Sequence, residues 1–195
     1  TEDPQQTARC VQIIDGHLKR LEEMLRDLLD LSRVERPDLK PAPARVTAAD
    51  LFSLLRSSLG PMAREKGVEL RFSEEPVPAS FVSDERLLNL VLKNIVENSI
   101  KYTAAGGSVT ISVLVADGGP VTIRVQDTGI GIPPEHLDRV FERFYQVNAA
   151  RTGSSGRGTG LGLAIVKHAV HALGGTVKLE STVGVGSTAI VTLPA

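Results

Sequence analysis

This 195-residue sequence has one cysteine, no tryptophan and no marked excess of positive or negative charge. Its one cysteine, Cys10, excludes an internal disulfide framework and is typical of a reducing compartment, where it is a buried or incidental thiol rather than a reactive one. The 22 Lys and Arg residues against 23 Asp and Glu residues leave a formal net charge of −1 at pH 7. Without a basic excess, the composition gives no indication of nucleic acid or an anionic membrane as a partner.

Long apolar runs are also missing. No stretch is apolar enough to span a bilayer, and none is typical of a signal peptide. The chain opens on Thr1 rather than Met, so we expect a fragment of a longer protein, in which a membrane segment could lie upstream. The 42% hydrophobic and 23% charged residues are ordinary for a soluble globular protein with a sizeable core.

The first segment, from about Pro4 to Val34, has a heptad seam. The spacing of its apolar residues predicts a long helix that pairs with another helix in a left-handed coil. A second protomer is the favoured partner, with a missing neighbouring helix or the following domain as alternatives. His17, beside the seam, is interpreted as a solvated side chain rather than a catalytic one. The seam consists of Val11, Ile14, Leu18, Leu21, Leu25 and Leu28.

A proline-rich segment, Arg36 to Pro43, ends this helix because proline lacks an amide donor and restricts the residue before it. It predicts three regions: a helical region at 1–36, a linker at 37–44 and a second domain at 45–195.

Capping signals predict the helices of the second domain. Thr47 caps a helix over Ala48–Lys66 that Gly67 ends, and Ser83 is the candidate cap for a helix over Leu87–Thr103. A last helix is predicted from about Leu161 to Leu173. The predicted strands are Val68–Phe72, Val109–Val115, Val121–Gln126, Thr176–Glu180 and Ser187–Leu193. Because strands and helices mix without strict alternation, the sequence predicts an α+β fold, a two-layer sandwich of helices on a mostly antiparallel sheet.

Within Leu87–Thr103, three polar side chains lie on one helical stripe. Asn94, Asn98 and Lys101 stand at i, i+4 and i+7. Amide oxygens can ligate a hard cation and lysine supplies a point charge, so the stripe suits hydrated Mg²⁺ and phosphate oxygens. The alternative is a solvated helix face.

Two glycine-rich segments carry the next signals. Asp127 ends a predicted strand before TGIGI, where its carboxylate can accept a hydrogen bond from an exocyclic amine such as that of adenine. A plain strand-to-loop turn explains this pattern equally well. The second segment, GRGTGLGL from Gly156, leads into a helix whose amides and dipole favour phosphate. Because a polar loop rather than a strand precedes it, we interpret residues 148–155 as part of a phosphate lid that orders on nucleotide binding.

Between the two glycine segments, FERFY holds three of the seven aromatic residues of the chain within five positions. Such a cluster more often indicates local packing in the hydrophobic core than a functional site. Arg143 within it would nonetheless be close enough to a nucleotide triphosphate to matter.

Five motifs together resemble one family. NIVENSIKYT, DTGIGI, FERFY, GRGTGLGLAIVK and GVGST resemble, in order and spacing, the N, G1, F, G2 and G3 boxes of the ATP-binding catalytic domain of bacterial sensor histidine kinases. The resemblance covers roughly residues 45–195 and implies the Bergerat-type α/β sandwich shared with gyrase and MutL. The first helix, with LRDLLDLSRVE, resembles the second helix of the family's dimerisation and histidine-phosphotransfer domain.

The resemblance implies roles for particular residues. Asn94 and Asn98 would ligate Mg²⁺, and Asp127 would hold the adenine amine. Lys101 and Tyr102 would contact phosphates or ribose. Lys101, Asn94 and Arg143 are the residues expected to act in catalysis. The other expected nucleotide contacts, which shape the pocket and lid, are Gly129, Gly131, Arg157, Gly158, Thr159, Gly160, Leu161 and Gly162.

The implied activity is transfer of the ATP γ-phosphoryl group to a histidine, and onward to an aspartate of a response regulator. The implied whole protein is a homodimer and a membrane-anchored bacterial sensor, of which this chain is a cytoplasmic portion. Hydrolytic relatives, and relatives that phosphorylate serine, carry a glutamate base where Asn94 stands, whereas a neutral histidine already offers a lone pair. Asn94 therefore favours a histidine acceptor.

Departures from the family pattern leave alternatives. None of the four histidines precedes an acidic residue and a proline as in the phosphoacceptor box, so we expect the acceptor helix to lie outside this chain. Gln146 replaces a second basic residue, and Arg157 replaces a glycine. A catalytically silent nucleotide-binding scaffold is the first alternative, and a hydrolytic relative is the second.

Overall fold

The computed structural model describes residues 4–75, 80–116, 119–147 and 158–194. Four α-helices and seven strands lie within these ranges, together with a short 3₁₀ helix at Pro134–His136. The helices are α1 (Pro4–Val34), α2 (Ala48–Lys66), α3 (Glu85–Tyr102) and α4 (Gly162–Ala172). The strands are β1 (Ala44–Thr47), β2 (Glu69–Glu75), β3 (Ser80–Ser83), β4 (Ser108–Val115), β5 (Val121–Asp127), β6 (Thr176–Thr182) and β7 (Gly186–Leu193).

Five strands form the main sheet, in the order β2-β4-β5-β7-β6. Only the β2–β4 pair is parallel, and the other three pairs are antiparallel. The helices α2, α3 and α4 cover this sheet, and β4 and β5 alternate buried and more exposed residues as expected for a sheet with one covered face. The α+β two-layer prediction is therefore confirmed.

The ends of α2 follow from its local sequence. The Thr47 hydroxyl accepts a hydrogen bond of 3.1 Å from the amide of Asp50, which satisfies a free donor of the first turn. At the other end Gly67 has φ 69°, the left-handed conformation in which glycine is favoured. The bounds Ala48–Lys66 and both predicted caps are confirmed.

The predicted cap of α3 is wrong by one residue. Asp84, not Ser83, caps α3, because its carboxylate accepts 3.0 Å hydrogen bonds from the amides of Arg86 and Leu87. A third bond, of 2.7 Å, comes from the amide of Ala42. Ser83 is instead the last residue of β3 and pairs with Ala44 of β1. Strands β1 and β3 were not predicted, since four residues are too few to show an alternating pattern.

Helix α1 has two different halves. The predicted seam residues, Val11 to Leu28, are 51% to 62% exposed, so they do not pack on the following domain within this chain. Leu31 and Val34, near its end, are 3% and 6% exposed and join the core of α2, α3 and α4. The domain division at residues 37–44 stays a prediction.

The side chains of Cys10 and His17 are exposed on α1. Among the described residues, no helix combines the length and hydropathy needed to cross a membrane.

Candidate functional site

The stripe on α3 faces the first residue of α4. A Cβ built on Gly162 would lie 2.9 Å from Oδ1 of Asn94 and 3.6 Å from Nδ2 of Asn98. At 2.9 Å a Cβ would force the Asn94 side chain to shift, so the glycine allows this carboxamide to lie against the start of α4. The structure therefore brings together the predicted polar stripe and Gly162 of the second glycine motif, which are distant in the sequence.

Asn94 presents its amide oxygen towards this junction. Its Nδ2 donates a 2.8 Å hydrogen bond to the carbonyl of Leu90, one turn earlier, while Oδ1 receives no hydrogen bond from the described residues. An unpaired amide oxygen beside a glycine is a suitable ligand for a hard cation. Across the described ranges, no group of three or more His, Cys, Asp or Glu side chains could hold a metal. The residues present therefore fit a cation that is held partly by side-chain amide oxygens and partly by oxygen atoms of a bound molecule.

Lys101 lies at the C-terminal end of the same stripe. Its Nζ would be 3.0 Å from a Cβ built on Gly158, so the ammonium lies beside the second glycine motif. Burial lowers the pKa of Lys101, and the charges of Glu23 on α1 and Glu97 on α3 oppose that shift. Next to it, Tyr102 is 45% exposed, and its ring centroid is 5.8 Å from the Lys101 ammonium. This end of the stripe can hold an anion.

Lys66 of α2 supports this end of α3 and was not identified from the sequence. Its ammonium donates hydrogen bonds to the carbonyl of Ile100, at 2.8 Å, and to the carbonyl of Lys101. A cation at a helix C-terminus satisfies free carbonyls and interacts favourably with the helix dipole. Burial lowers the pKa of Lys66. Because Lys66 lies on another helix, 35 residues away, no local pattern could indicate the contact.

Asp127 lies at the end of β5 and is 9% exposed. Its Oδ1 accepts hydrogen bonds from the amides of Gly129, at 2.9 Å, and Ser187, at 3.1 Å. Within the described residues Oδ2 receives none, so one carboxylate oxygen is fixed and the other is free to accept.

Backbone from other elements approaches the first glycine motif closely. A Cβ on Gly129 would lie 2.7 Å from the carbonyl oxygen of Tyr102. Gly131 has φ 70°, and a Cβ there would lie 2.1 Å from the carbonyl oxygen of Thr182. Both glycines are therefore needed to keep this loop against α3 and β6, beside Asp127.

The segment containing FERFY contacts the second glycine motif through backbone groups. The amide of Phe144 donates a 2.8 Å hydrogen bond to the carbonyl of Gly160. Phe144 is 64% exposed and has φ 62°, an unfavourable conformation for a residue with a side chain. Tyr145 is only partly buried, and its hydroxyl lies 2.6 Å from Nδ1 of His136. The interpretation that these aromatic residues pack in the hydrophobic core is therefore wrong for Phe144.

Two carboxylates, one in the C-terminal part of α1 and one directly after this helix, contact predicted site residues. The Thr159 hydroxyl donates a 2.5 Å hydrogen bond to Asp27. The Arg143 guanidinium lies 2.5 Å from Oε1 of Glu35, directly after α1, and Nε2 of His168 lies 3.1 Å from the same oxygen. Thr159 and Arg143 therefore contact α1 and its end in this structure, an arrangement that the sequence did not predict.

The remaining predicted residues divide into two groups. The side chain of Leu161 is 1% exposed and belongs to the core, so only its backbone could contact a ligand. Its amide donates a 3.2 Å hydrogen bond to the hydroxyl of Thr159. Arg157 and the predicted lid at 148–155 lie outside the described residues.

Comparison with known proteins gives matches over this region. Residues 83–195 match the family described as "Histidine kinase-, DNA gyrase B-, and HSP90-like ATPase". The sensor-like histidine kinase SenX3 of Mycolicibacterium smegmatis is 34% identical over 195 residues, which cover 99% of this chain and 50% of that protein. The chain thus spans about half the length of this curated relative.

Solved structures match the whole chain. Full-length ShkA, crystallised in complex with AMPPNP, has a TM-score of 0.81 and 29% identity, and the match covers 100% of this chain and 39% of ShkA. The histidine kinase ThkA, in complex with the response regulator protein TrrA, has a TM-score of 0.77 and 22% identity. That match covers 100% of this chain and 53% of ThkA, and at this identity it shows likeness of fold alone.

Proposed function

Because the chain belongs to the histidine kinase-, DNA gyrase B- and HSP90-like ATPase family, we propose that it is the ATP-binding catalytic region of a two-component sensor histidine kinase. The observation that carries this proposal is the convergence of Asn94 and Asn98 on Gly162, at the N-terminus of α4. It supports a site where amide oxygens, backbone amides and a helix dipole meet the phosphates of a nucleotide.

Asp127 would select adenine. Its Oδ1 is already occupied by the amides of Gly129 and Ser187, so Oδ2 is the oxygen left to accept from the exocyclic amine. A buried carboxylate held in this way needs no reorganisation when the base binds, which favours affinity. Tyr102 and the loop with Gly129 and Gly131 would line the base and ribose.

Asn94, Asn98 and Lys101 would hold the phosphates. In this arrangement Asn94 and Asn98 are the residues that would ligate Mg²⁺, and the bound ion would neutralise phosphate charge. Lys101 would add a positive charge, and its partial burial strengthens its electrostatic interaction with phosphate. Backbone amides of the second glycine motif would donate hydrogen bonds to phosphate oxygens, and the dipole of α4 would attract the phosphates. These amides belong to Gly158, Thr159, Gly160, Leu161 and Gly162. Arg143 and Arg157 are proposed as further cationic contacts.

The proposed reaction transfers the γ-phosphoryl group to a histidine nitrogen. The bond between the γ-phosphorus and the β,γ-bridging oxygen breaks, ADP leaves, and a phosphorus–nitrogen bond forms on the acceptor. Asn94 has no carboxylate to deprotonate water or a hydroxyl, whereas a neutral imidazole attacks with its own lone pair. The protein's contribution is therefore positioning and charge neutralisation.

The acceptor histidine would lie on a dimerisation helix outside this chain, belonging to the same or a partner protomer of a homodimer. The exposed seam of α1 supports pairing with such a helix. A response-regulator aspartate would receive the group next, and ThkA has been solved in complex with the response regulator protein TrrA. This chain would then be the cytoplasmic portion of a membrane-anchored bacterial sensor, because ATP is available in the cytoplasm.

Isothermal titration calorimetry tests the nucleotide site. Mg-ATP is expected to bind, and EDTA is expected to weaken the binding of ATP but not that of adenosine. Absence of ATP binding in both conditions would contradict the proposal. Release of inorganic phosphate at a steady rate without any acceptor would instead support a hydrolytic member of the family.

A further inference from the structure

Gln146 lies where the FERFY segment meets the second glycine motif. Its Nε2 donates a 2.6 Å hydrogen bond to the carbonyl oxygen of Gly158, in a partly buried position. Two residues away on each segment, the Phe144 amide donates to the Gly160 carbonyl at 2.8 Å. The side-chain amide of Gln146 thus extends the pairing of residues 144–146 with 158–160 by one further bond.

This pairing includes two backbone positions with positive φ. Phe144 has φ 62° and Gly160 has φ 74°, and a Cβ on Gly160 would lie 2.8 Å from Cα of Phe144. A non-glycine residue in this conformation costs free energy and persists only where surrounding contacts maintain it. The bond from Gln146 is such a contact, next to the strained position.

Gly158 also faces the polar stripe. A Cβ built on Gly158 would lie 3.0 Å from Nζ of Lys101, while the Gly158 carbonyl accepts a hydrogen bond from the Gln146 side chain. The same glycine therefore connects Gln146 with the ammonium that would meet the phosphates. Gln146 carries no charge, so its effect on a phosphate would come through the backbone of Gly158 rather than from direct attraction.

We propose that Gln146 is a positioning residue for the phosphate end of the site: its amide fixes the carbonyl of Gly158 and thereby holds the glycine backbone against Lys101. This inference rests on the proposed ATP site. It predicts a residue that changes the affinity for the phosphates without changing the affinity for adenine, because Asp127 is held by different bonds.

The test is Gln146→Met, which keeps the length of the side chain and its neutrality but removes the donor. Gln126→Met is the matched control, since Gln126 is exposed on β5. Calorimetry is expected to show that Gln146→Met weakens Mg-ATP binding about threefold to tenfold, the size of one lost hydrogen bond. Adenosine binding is expected to stay within about twofold of the wild type. Equal losses for ATP and adenosine, or no loss for either, would overturn the proposal.

A second measurement does not depend on nucleotide. In the ligand-free protein, the Phe144 amide is expected to exchange with solvent faster in Gln146→Met than in Gln126→Met, because the adjoining bond no longer holds the two segments together. An unchanged exchange rate would overturn the proposal even if ATP binds. If the wild type bound no ATP, the proposed function would fail, while this measurement would still decide the role of Gln146 in positioning Gly158.

Discussion

The adenine end and the phosphate end of the proposed site are held by different parts of the chain. Asp127 is buried and accepts hydrogen bonds from the amides of Gly129 and Ser187. All three residues belong to the part of the chain that forms the main sheet, which we call the sheet domain. At the phosphate end, Thr159 contacts Asp27 of α1, and Arg143 contacts Glu35 just after it. The first end depends on the sheet domain alone, whereas the second also depends on where α1 lies.

This difference predicts which end of the proposed site would change if α1 moved. A displacement of α1 would leave the bonds to Asp127 intact, but it would separate Asp27 and Glu35 from their partners. We therefore expect base recognition to be constant and phosphate contacts to vary with the position of α1. Substitutions that affect one end alone can test this expectation.

The largest effect is expected at the adenine end. Asp127→Asn should retain the oxygen that accepts from Gly129 and Ser187 but place an amide donor where the free oxygen stands. Loss of a hydrogen bond to a charged acceptor should weaken ATP, ADP and adenosine alike, by about tenfold to a hundredfold. Calorimetry checks this result, with the exposed Asp138→Asn as the control. A loss confined to ATP would show that Asp127 does not contact the base.

The next effect is expected on α3. Asn98→Ala should weaken Mg-ATP binding by about tenfold, because the loss of one metal-site contact typically costs at least that much affinity. Adenosine binding should not change. The exposed Lys93→Ala, on the same helix, is the matched control. Equal affinity of the variant and the wild type for Mg-ATP would refute the assignment of Asn98 to the magnesium site.

A smaller effect of opposite sign is expected from the carboxylates near α1. The double variant Asp27→Asn, Glu35→Gln removes two negative charges that contact Thr159 and Arg143. Mg-ATP affinity should rise about twofold to fivefold, since partly exposed charge pairs contribute modest free energies, and adenosine affinity should stay constant. The control is Asp15→Asn, whose carboxylate pairs with Lys19 on an exposed part of α1. Weaker ATP binding in the double variant would mean that these carboxylates support the site.

The smallest effect concerns the dependence of stability on pH. Burial lowers the pKa of Lys101 from its ordinary value of 10.5, so the folded protein binds fewer protons than the unfolded chain between the lowered pKa and 10.5. The destabilising cost of burying the charge is fully present below that window and is relieved as pH rises through it. The free energy of unfolding of the wild type should therefore rise relative to Lys101→Met over this window. Urea denaturation at several pH values measures the difference, and a relative fall would contradict it.

Local signals predicted much of the fold. The caps at Thr47 and Gly67 and the apolar periodicity gave α2 correctly, and the strand patterns gave the main sheet. The cap of α3 was displaced to Ser83, because sequence alone does not show that Asp84 also accepts a bond from Ala42, 42 residues away. Strands β1 and β3 were missed because they are short.

The site could be predicted only in part. Spacing placed Asn94 and Asn98 on one face of a helix, but only the packing of α3 on α4 shows that they meet Gly162. The contacts of Lys66 with α3 and of Glu35 with Arg143 join distant segments, so no local pattern indicates them. The bond from Gln146 to the carbonyl of Gly158 also joins residues that are not neighbours in the sequence, so the sequence alone does not indicate it.

Phosphoryl transfer in trans tests the central claim most directly. The chain would be mixed with γ-labelled Mg-ATP and a separate dimerisation domain that carries an acceptor histidine. We predict acid-labile, base-stable label on the acceptor and none on this chain. Transfer should fall by about tenfold to a hundredfold in Asp127→Asn when the ATP concentration is below the Kd of the wild type. Tight ATP binding without any label on the acceptor would contradict the account and identify the chain as a nucleotide-binding scaffold.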